Sequence, residues 1–283
     1  MPAASSRPPV RLGRIGYLNV LPLHYPLEQG IIPGDFEIVA GPPAQLNNLM
    51  ELGKLDISGC SSIEYARRPE RYRIVPDLAI GSRGPVQSVL LLCRTKPEDL
   101  DGATLLVSAQ THTSAALLDL LLRDHIGVTP RYKIGDATAI LASGERPEAI
   151  LCIGDEALNL RTHPDYPHRV DLGEAWRQWT GLPFIFGLWI VREEALRERP
   201  EQVWEGVRIM LQAKRWGQAN LETIAQVSSR GSVRSIEEMR SYFAGLVYDL
   251  REEELSGLRM FYTKLAEAGV IADVPELRFM EEA

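Results

Sequence analysis

The sequence predicts an α/β protein of two lobes that close a central cleft around one small polar molecule. Three observations carry this reading. Strand and helix signals alternate as far as residue 93, in the manner of a parallel sheet, and the alternation resumes between residues 104 and 158. The chain has 283 residues, beyond the usual length of one domain, so two cores are expected. Apolar runs at residues 86–93 and 182–191 read as crossings out of the first lobe and back. The expected division is residues 1–92 with 190–283 in lobe one, and 93–189 in lobe two.

Each element has a local reason. Val10, Leu12 and Ile15 mark an opening strand that breaks at Gly16 into Tyr17-Leu18-Asn19, before a turn limited by Pro22. A second strand follows at residues 36–39. Pro42 and Pro43 then stand where a helix begins, Leu46, Leu49 and Met50 form its apolar face, and Gly53 closes it. A short buried strand at residues 55–58 leads through Cys60-Ser61-Ser62 to a helix at Ile63. In the second lobe residues 104–107 form a strand. The run Ser108 to Ser114 opens a helix with Leu117, Leu118, Leu121 and Leu122 on its inner face, ended by Gly127. Residues 149–153 form another buried strand running into Gly154-Asp155. Beyond Glu193 the chain reads as helical, with Trp204, Val207 and Leu211 on one long helix and residues 235–269 as a further helical pair.

Composition narrows the function classes. A chain 45% hydrophobic and 24% charged is ordinary for a globular protein. Its net charge of −7 is spread without basic blocks, so no nucleic-acid partner is expected. The Ala-, Ser- and Pro-rich start lacks the pattern of a secretory signal, and no run reaches the ~18 apolar residues that cross a bilayer. A cytoplasmic protein without a membrane partner is therefore expected; its oligomeric state is not legible. Cys60, Cys93 and Cys152 are isolated on apolar segments and read as buried free thiols. No glycine-rich nucleotide loop, nucleophile elbow or metal-spaced histidine pair is present among His24, His112, His125, His163 and His168. No cofactor and no metal are expected.

The chemistry concentrates in polar turns that follow strands: Tyr17 to Asn19, Ser61-Ser62, Ser88, the run Ser108 to Ser114, and Gly154-Asp155. Helix N-termini leave N–H groups free and carry partial positive charge, so such turns suit anions. Capping is the ordinary role of Ser and Thr there. Several turns converging on one cleft favour anion binding, and Thr111 to Ser114 forms the richest carboxylate cradle. Asn19 serves either an Asx-turn or a substrate hydroxyl. Asp155 serves either as acid or base, or as a helix cap. Arg83 reads as a solvated loop arginine, with a carboxylate partner as the sharper alternative.

Taken together, Ile15-Gly16-Tyr17-Leu18-Asn19, Ser61-Ser62-Ile63-Glu64-Tyr65-Ala66, Gly84-Pro85-Val86-Gln87-Ser88, Ser108 with Thr113-Ser114, Ile153-Gly154-Asp155-Glu156-Ala157-Leu158 and Asp171-Leu172-Gly173 resemble the chorismate dehydratase family of futalosine-pathway menaquinone biosynthesis. The resemblance is strong over residues 11–192 and loose in the helical tail. It implies a periplasmic-binding-protein type II-like fold and conversion of chorismate to 3-[(1-carboxyvinyl)oxy]benzoate by a hydro-lyase. Asn19 would orient the departing hydroxyl or the enolpyruvyl group. Ser62 and Ser88 would bind from lobe one, with Tyr17 and Ser61 beside them. Thr111, Thr113 and Ser114 would hold a carboxylate from lobe two, with His112 and Gly154 at the same face. The proton-abstracting group is either Asp155 or the substrate's own enolpyruvyl carboxylate, with substrate assistance favoured because no motif is built for abstraction. The competing readings are a 1,4-dihydroxy-6-naphthoate synthase-like enzyme and a non-enzymatic organic-anion binding protein.

Overall fold

The computed structural model describes residues 8–230 and 234–281; residues 1–7 of the Ala-, Ser- and Pro-rich start lie outside them. In lobe one, β1 (Val10–Ile15) leads through a 3-10 turn (Leu18–Val20) into α1 (Leu21–Glu28). Then come β2 (Phe36–Gly41), α2 (Pro43–Glu51), β3 (Ile57–Ser61), α3 (Ser62–Arg67) and β4 (Tyr72–Ser82). Lobe two opens with β5 (Val89–Cys93), β6 (Thr104–Val107), α4 (Thr113–Leu120) and β7 (Arg131–Ile134). It continues with α5 (Ala137–Ala142), β8 (Ala149–Ile153), α6 (Gly154–Leu160), β9 (His168–Asp171) and α7 (Leu172–Thr180). The chain returns through β10 (Phe184–Arg192) to α8 (Glu193–Glu198), α9 (Pro200–Ala219) and α10 (Leu221–Ser229). It ends in α11 (Ile236–Gly245), β11 (Leu246–Val247) and α12 (Glu252–Glu267).

Two sheets result, ordered β11-β4-β10-β3-β1-β2 and β7-β6-β8-β5-β9. In the first, β1 is parallel to β2 and β3, while β10 runs antiparallel between β3 and β4. In the second, β6 is parallel to β7 and β8, and β5 is antiparallel to β8 and β9. Parallel βαβ units leave strand ends and helix N-termini on one side of a sheet, and the two such sides face each other.

Lobe one is finished by the tail. Helix α9 buries Val203, Val207 and Met210 completely, and each such side chain contributes about 1.5–3 kcal/mol of apolar burial. A Cβ at Gly217 would lie 1.9 Å from the Pro22 carbonyl oxygen, so only glycine lets α9 lie directly on α1. Beneath the first sheet the Asp56 carboxyl is fully buried, salt-bridged to Arg11 at 2.6 Å and to Arg199. Burial pushes this carboxyl up, but its hydrogen bonds to Arg11 and Arg199 outweigh that and hold it below the usual value.

Several expectations change. The crossings fall earlier than residues 93 and 189: the strand at Val89 already belongs to the second sheet, and the whole of β10, from Phe184, belongs to the first. The first crossing strand starts at Val89, not Val86, because the Asp171 carboxylate accepts the Val86 and Gln87 N–H groups at 3.0 and 2.7 Å. Those two N–H groups are therefore lost to the ladder, and Gln87 sits at φ 62°. The strand expected at residues 55–58 is shifted to Ile57–Ser61, where Cys60 and Ser61 pair with Leu188 and Gly187 of β10. The turn limited by Pro22 is in fact helix α1, with Pro22 in the first turn, where a missing N–H costs nothing. The long strand β4 carries no simple alternation, because Pro76 and Asp77, at φ 51°, interrupt its pattern. Arg83 is tied to the fully buried Glu254 at 2.8 Å. Cys60, Cys93 and Cys152 are buried free thiols. No helix among the described residues is long and apolar enough to cross a membrane.

Candidate active site

The two lobes enclose a cleft of about 660 Å³ of empty space, its mouth included. Lobe one supplies Tyr17 and Asn19 from the turn after β1, Ser61 from the end of β3, and Ser88 from the crossing before β5. Lobe two supplies Gln110, Thr111 and His112 from the β6–α4 connection, Thr113 and Ser114 from the first turn of α4, and Gly154 from the start of α6. Between these polar groups lie Ile15, Ile80, Val86, Ile153 and Phe186, an apolar wall suited to a ring. Among the described residues, no lysine or arginine lines the space. The donors it offers are neutral side chains and the N-terminal end of α4, which carries partial positive charge.

Among the described residues, four polar atoms of this lining are buried without a partner: Asn19 Oδ1, Ser61 Oγ, Gln110 Oε1 and His112 Nδ1. Buried polar side-chain atoms are paired in the large majority of cases, so four orphans in one cavity are open hydrogen-bonding positions. The side-chain amides of Asn19 and Gln110 offer both a donor and an acceptor to such a ligand.

The turn at β3–α3 departs most from what its sequence suggests. Ser61 is the N-cap residue of α3 yet makes no side-chain capping bond. The capping bond comes from the other lobe: the Thr113 hydroxyl accepts the Ile63 N–H at 3.1 Å, and it meets Ser62 Oγ at 3.3 Å. Ser62 is completely buried and does not line the cleft, so its expected binding role is replaced by a contact between lobes. Thr113 lines the cleft, but its oxygen is already occupied by α3. The Thr111 hydroxyl donates to the Ser108 carbonyl at 2.6 Å, which fixes the loop. Ser114 lines the cleft from the first turn of α4.

Asp155 is also displaced from its expected place. It does not line the cleft, and it does not cap its own helix, whose N-cap residue is Ile153. Its Oδ1 accepts the Leu18 N–H at 3.4 Å, another bond between lobes, beside the Tyr17 ring. Burial pushes the Asp155 carboxyl above its usual value. Gly154 has φ +56°, and a Cβ there would lie 2.9 Å from the Tyr17 ring, so closure of the lobes requires glycine.

The titratable side chains lining the cleft are Tyr17, Cys60 and His112. Burial, then the neighbouring Asp155, raises the Tyr17 phenol, and burial raises the Cys60 thiol. Both stay protonated at neutral pH. Sequence reasoning missed Gln110, although it lies inside the polar run from Ser108 to Ser114. It also missed Ile80 and Phe186, whose placement depends on which sheet their strands join.

A family model described as menaquinone biosynthesis matches residues 10–267. A chorismate dehydratase of Thermus thermophilus is 30% identical over 268 residues, which covers 89% of this chain and 94% of that protein. A chorismate dehydratase of Campylobacter jejuni is 32% identical over 180 residues, covering 62% of this chain and 64% of that one. Among solved structures, a Candida albicans protein with the generic periplasmic binding protein fold aligns with a TM-score of 0.70 at 12% identity, covering 98% of this chain and 99% of that one. The fold is therefore that of the periplasmic binding proteins.

Proposed function

The chain belongs to the menaquinone-biosynthesis family, and we propose that it is a cytoplasmic hydro-lyase converting chorismate to 3-[(1-carboxyvinyl)oxy]benzoate and water, the first step of the futalosine route. The observation that carries the reading is the cleft itself: neutral polar groups on both lobes, four of them unpartnered, around an apolar wall.

The reaction asks little of a protein beyond orientation. The ring C3–H bond and the C4–O bond break, a C3=C4 bond forms, and the proton and hydroxide leave together as water. The ring becomes aromatic, which supplies the driving force. In this reading the Asn19 side chain orients the departing hydroxyl. Ser61 and Ser88 receive one carboxylate from lobe one; Ser114, the Gln110 amide and the N–H groups opening α4 receive the other from lobe two. Tyr17 and Gly154 form the contact across which the lobes meet, and Thr113 and Asp155 hold them closed. A closed cleft excludes water and keeps the substrate in a reactive pose. The proton on C3 passes to the enolpyruvyl carboxylate of the substrate, since Tyr17 and Cys60 are protonated and Asp155 faces Leu18.

A second reading of the base rests on one atom, the unpartnered Nδ1 of His112. His112→Gln decides between them: turnover within about threefold of the parent leaves the proton to the substrate, whereas a loss of about 10²-fold or more assigns it to His112. The function as a whole is tested by incubating metal-stripped protein with chorismate and following products by liquid chromatography and mass spectrometry. An aromatic product lighter by one water, without pyruvate release, is expected. Chorismate bound but unchanged would replace the enzyme with an organic-anion binding protein.

A further inference from the structure

The helical tail reaches the cleft by an unexpected route. The two-residue strand β11 pairs Leu246 and Val247 with Ser82 and Gly81 at the end of β4, beside the first crossing. The tail around this pairing brings three tyrosines to the turns of the cleft, Tyr242 from α11, Tyr248 just after β11 and Tyr262 from α12, none of them lining it. Tyr242 donates to Ser88 Oγ at 3.2 Å, Tyr248 donates to the Asn19 carbonyl at 2.9 Å, and Tyr262 donates to the Ser62 carbonyl at 2.7 Å. All three rings are buried to within 2% exposure. A buried tyrosine hydroxyl needs a partner, but nothing in packing requires that all three partners be turns of the same cleft.

We propose that Tyr242 and Tyr248 are positioning residues of the active site, Tyr242 setting the donor direction of Ser88 and Tyr248 fixing the backbone from which Asn19 projects. Ser88 has a single hydroxyl proton, and its oxygen already accepts from Tyr242. The acceptor nearest that proton, the Val86 carbonyl, is 3.5 Å away, longer than the ordinary O–H···O range of about 2.5–3.0 Å. The proton is therefore left for a ligand oxygen in the cleft, as a carboxylate requires. Tyr248 acts on the 3-10 turn Leu18–Val20. That turn is held at its Leu18 N–H by Asp155 and at its Asn19 carbonyl by Tyr248, which leaves the unpartnered Asn19 side chain aimed at the cleft. Burial raises both phenols well above their ordinary value, so they remain donors through the working pH range.

The inference rests on the dehydratase reading, and steady-state kinetics on chorismate separate the two. Wild-type turnover tests the function by itself. Tyr242→Phe, Ser88→Ala and their combination then form a cycle, with Tyr248→Phe alongside. Tyr242→Phe is expected to raise KM about tenfold with kcat little changed, the size of one hydrogen bond. In the Ser88→Ala background the same change is expected to have no further effect. Tyr248→Phe is expected to lower kcat about five- to tenfold at nearly constant KM, because it acts through Asn19. An equal loss from Tyr242→Phe with and without Ser88, or wild-type kinetics in both tyrosine variants, would overturn the proposal. A loss of kcat and a rise in KM that merely track a lowered melting midpoint would overturn it as well. A wild-type protein that binds chorismate without turnover, with the cycle still coupled in affinity, refutes only the dehydratase reading.

Discussion

Two strand-to-helix turns face each other across the cleft and solve one problem in opposite ways. In lobe one, β3 passes into α3 with no residue between them, so Ser61 and Ser62 have fixed places: one hydroxyl faces the cleft and the other is sealed inside. In lobe two, residues 108–112 separate β6 from α4, and this longer connection presents its side chains as a fan over the opposite turn. The short turn lacks its own cap and the long one provides it, through Thr113 on the Ile63 N–H. Closure is therefore part of the local structure of α3. With the lobes apart, a helix N–H loses its partner, and the unpaired Ser61 hydroxyl is the residue placed to take over.

Asn19→Ala is expected to have the largest effect, removing a group that acts on the departing oxygen; a fall in kcat of about 10²–10³ with an unchanged melting midpoint is the outcome to look for. A near-normal kcat would move the chemistry to the opposite turn. Gly154→Ala breaks the meeting of the lobes instead, since its Cβ meets the Tyr17 ring at 2.9 Å. A loss of about 10²-fold in kcat/KM is expected, with a larger radius of gyration in small-angle scattering. Unchanged scattering at full activity would show that the Gly154–Tyr17 contact is not needed for closure. Thr113→Val is milder and tests the shared cap directly. It leaves the Ile63 N–H without an acceptor, which costs about 1–3 kcal/mol of closure, and KM should rise about tenfold while kcat stays within a few-fold. A Thr113→Val variant with wild-type KM would leave the two turns independent.

The smallest effect is expected for Asp155→Asn. Burial raises this carboxyl, so its share of stability is fully present below the unfolded value and is lost as pH rises through the folded one. At neutral pH the ionised group is therefore a cost, and asparagine keeps an oxygen for the Leu18 N–H without the charge. Turnover within about twofold is expected, with a melting midpoint equal to or above the parent's at pH 7 and less pH dependence just above pH 4. A loss approaching that of Asn19→Ala would return Asp155 to the chemistry.

Legibility in the sequence followed the distance over which each feature is determined. The strands at residues 104–107 and 149–153 and the Gly127 helix end stand where the periodicity and the glycine put them. Of the site residues read from polar turns, Tyr17, Asn19, Ser61, Ser88, Thr111, His112, Thr113, Ser114 and Gly154 line the cleft. Asp155 and Ser62 do not, although each lies in an equally polar turn, because each is occupied by the opposite lobe. The lobe to which residues 184–192 belong escaped the same reasoning, since an apolar run reads alike in either sheet.

Where strands hand over to helices and which turns are rich in hydroxyls is written locally, because repeat period, capping chemistry and glycine conformations act over a few residues. Tertiary structure decided which of those hydroxyls are free. A hydroxyl carries one proton, and its direction depends on partners far along the chain: Thr113 lies 50 residues from Ile63, and Tyr248 lies 229 from Asn19. No local pattern encodes such pairings, since each exists only after two sheets and a helical tail have packed against one another.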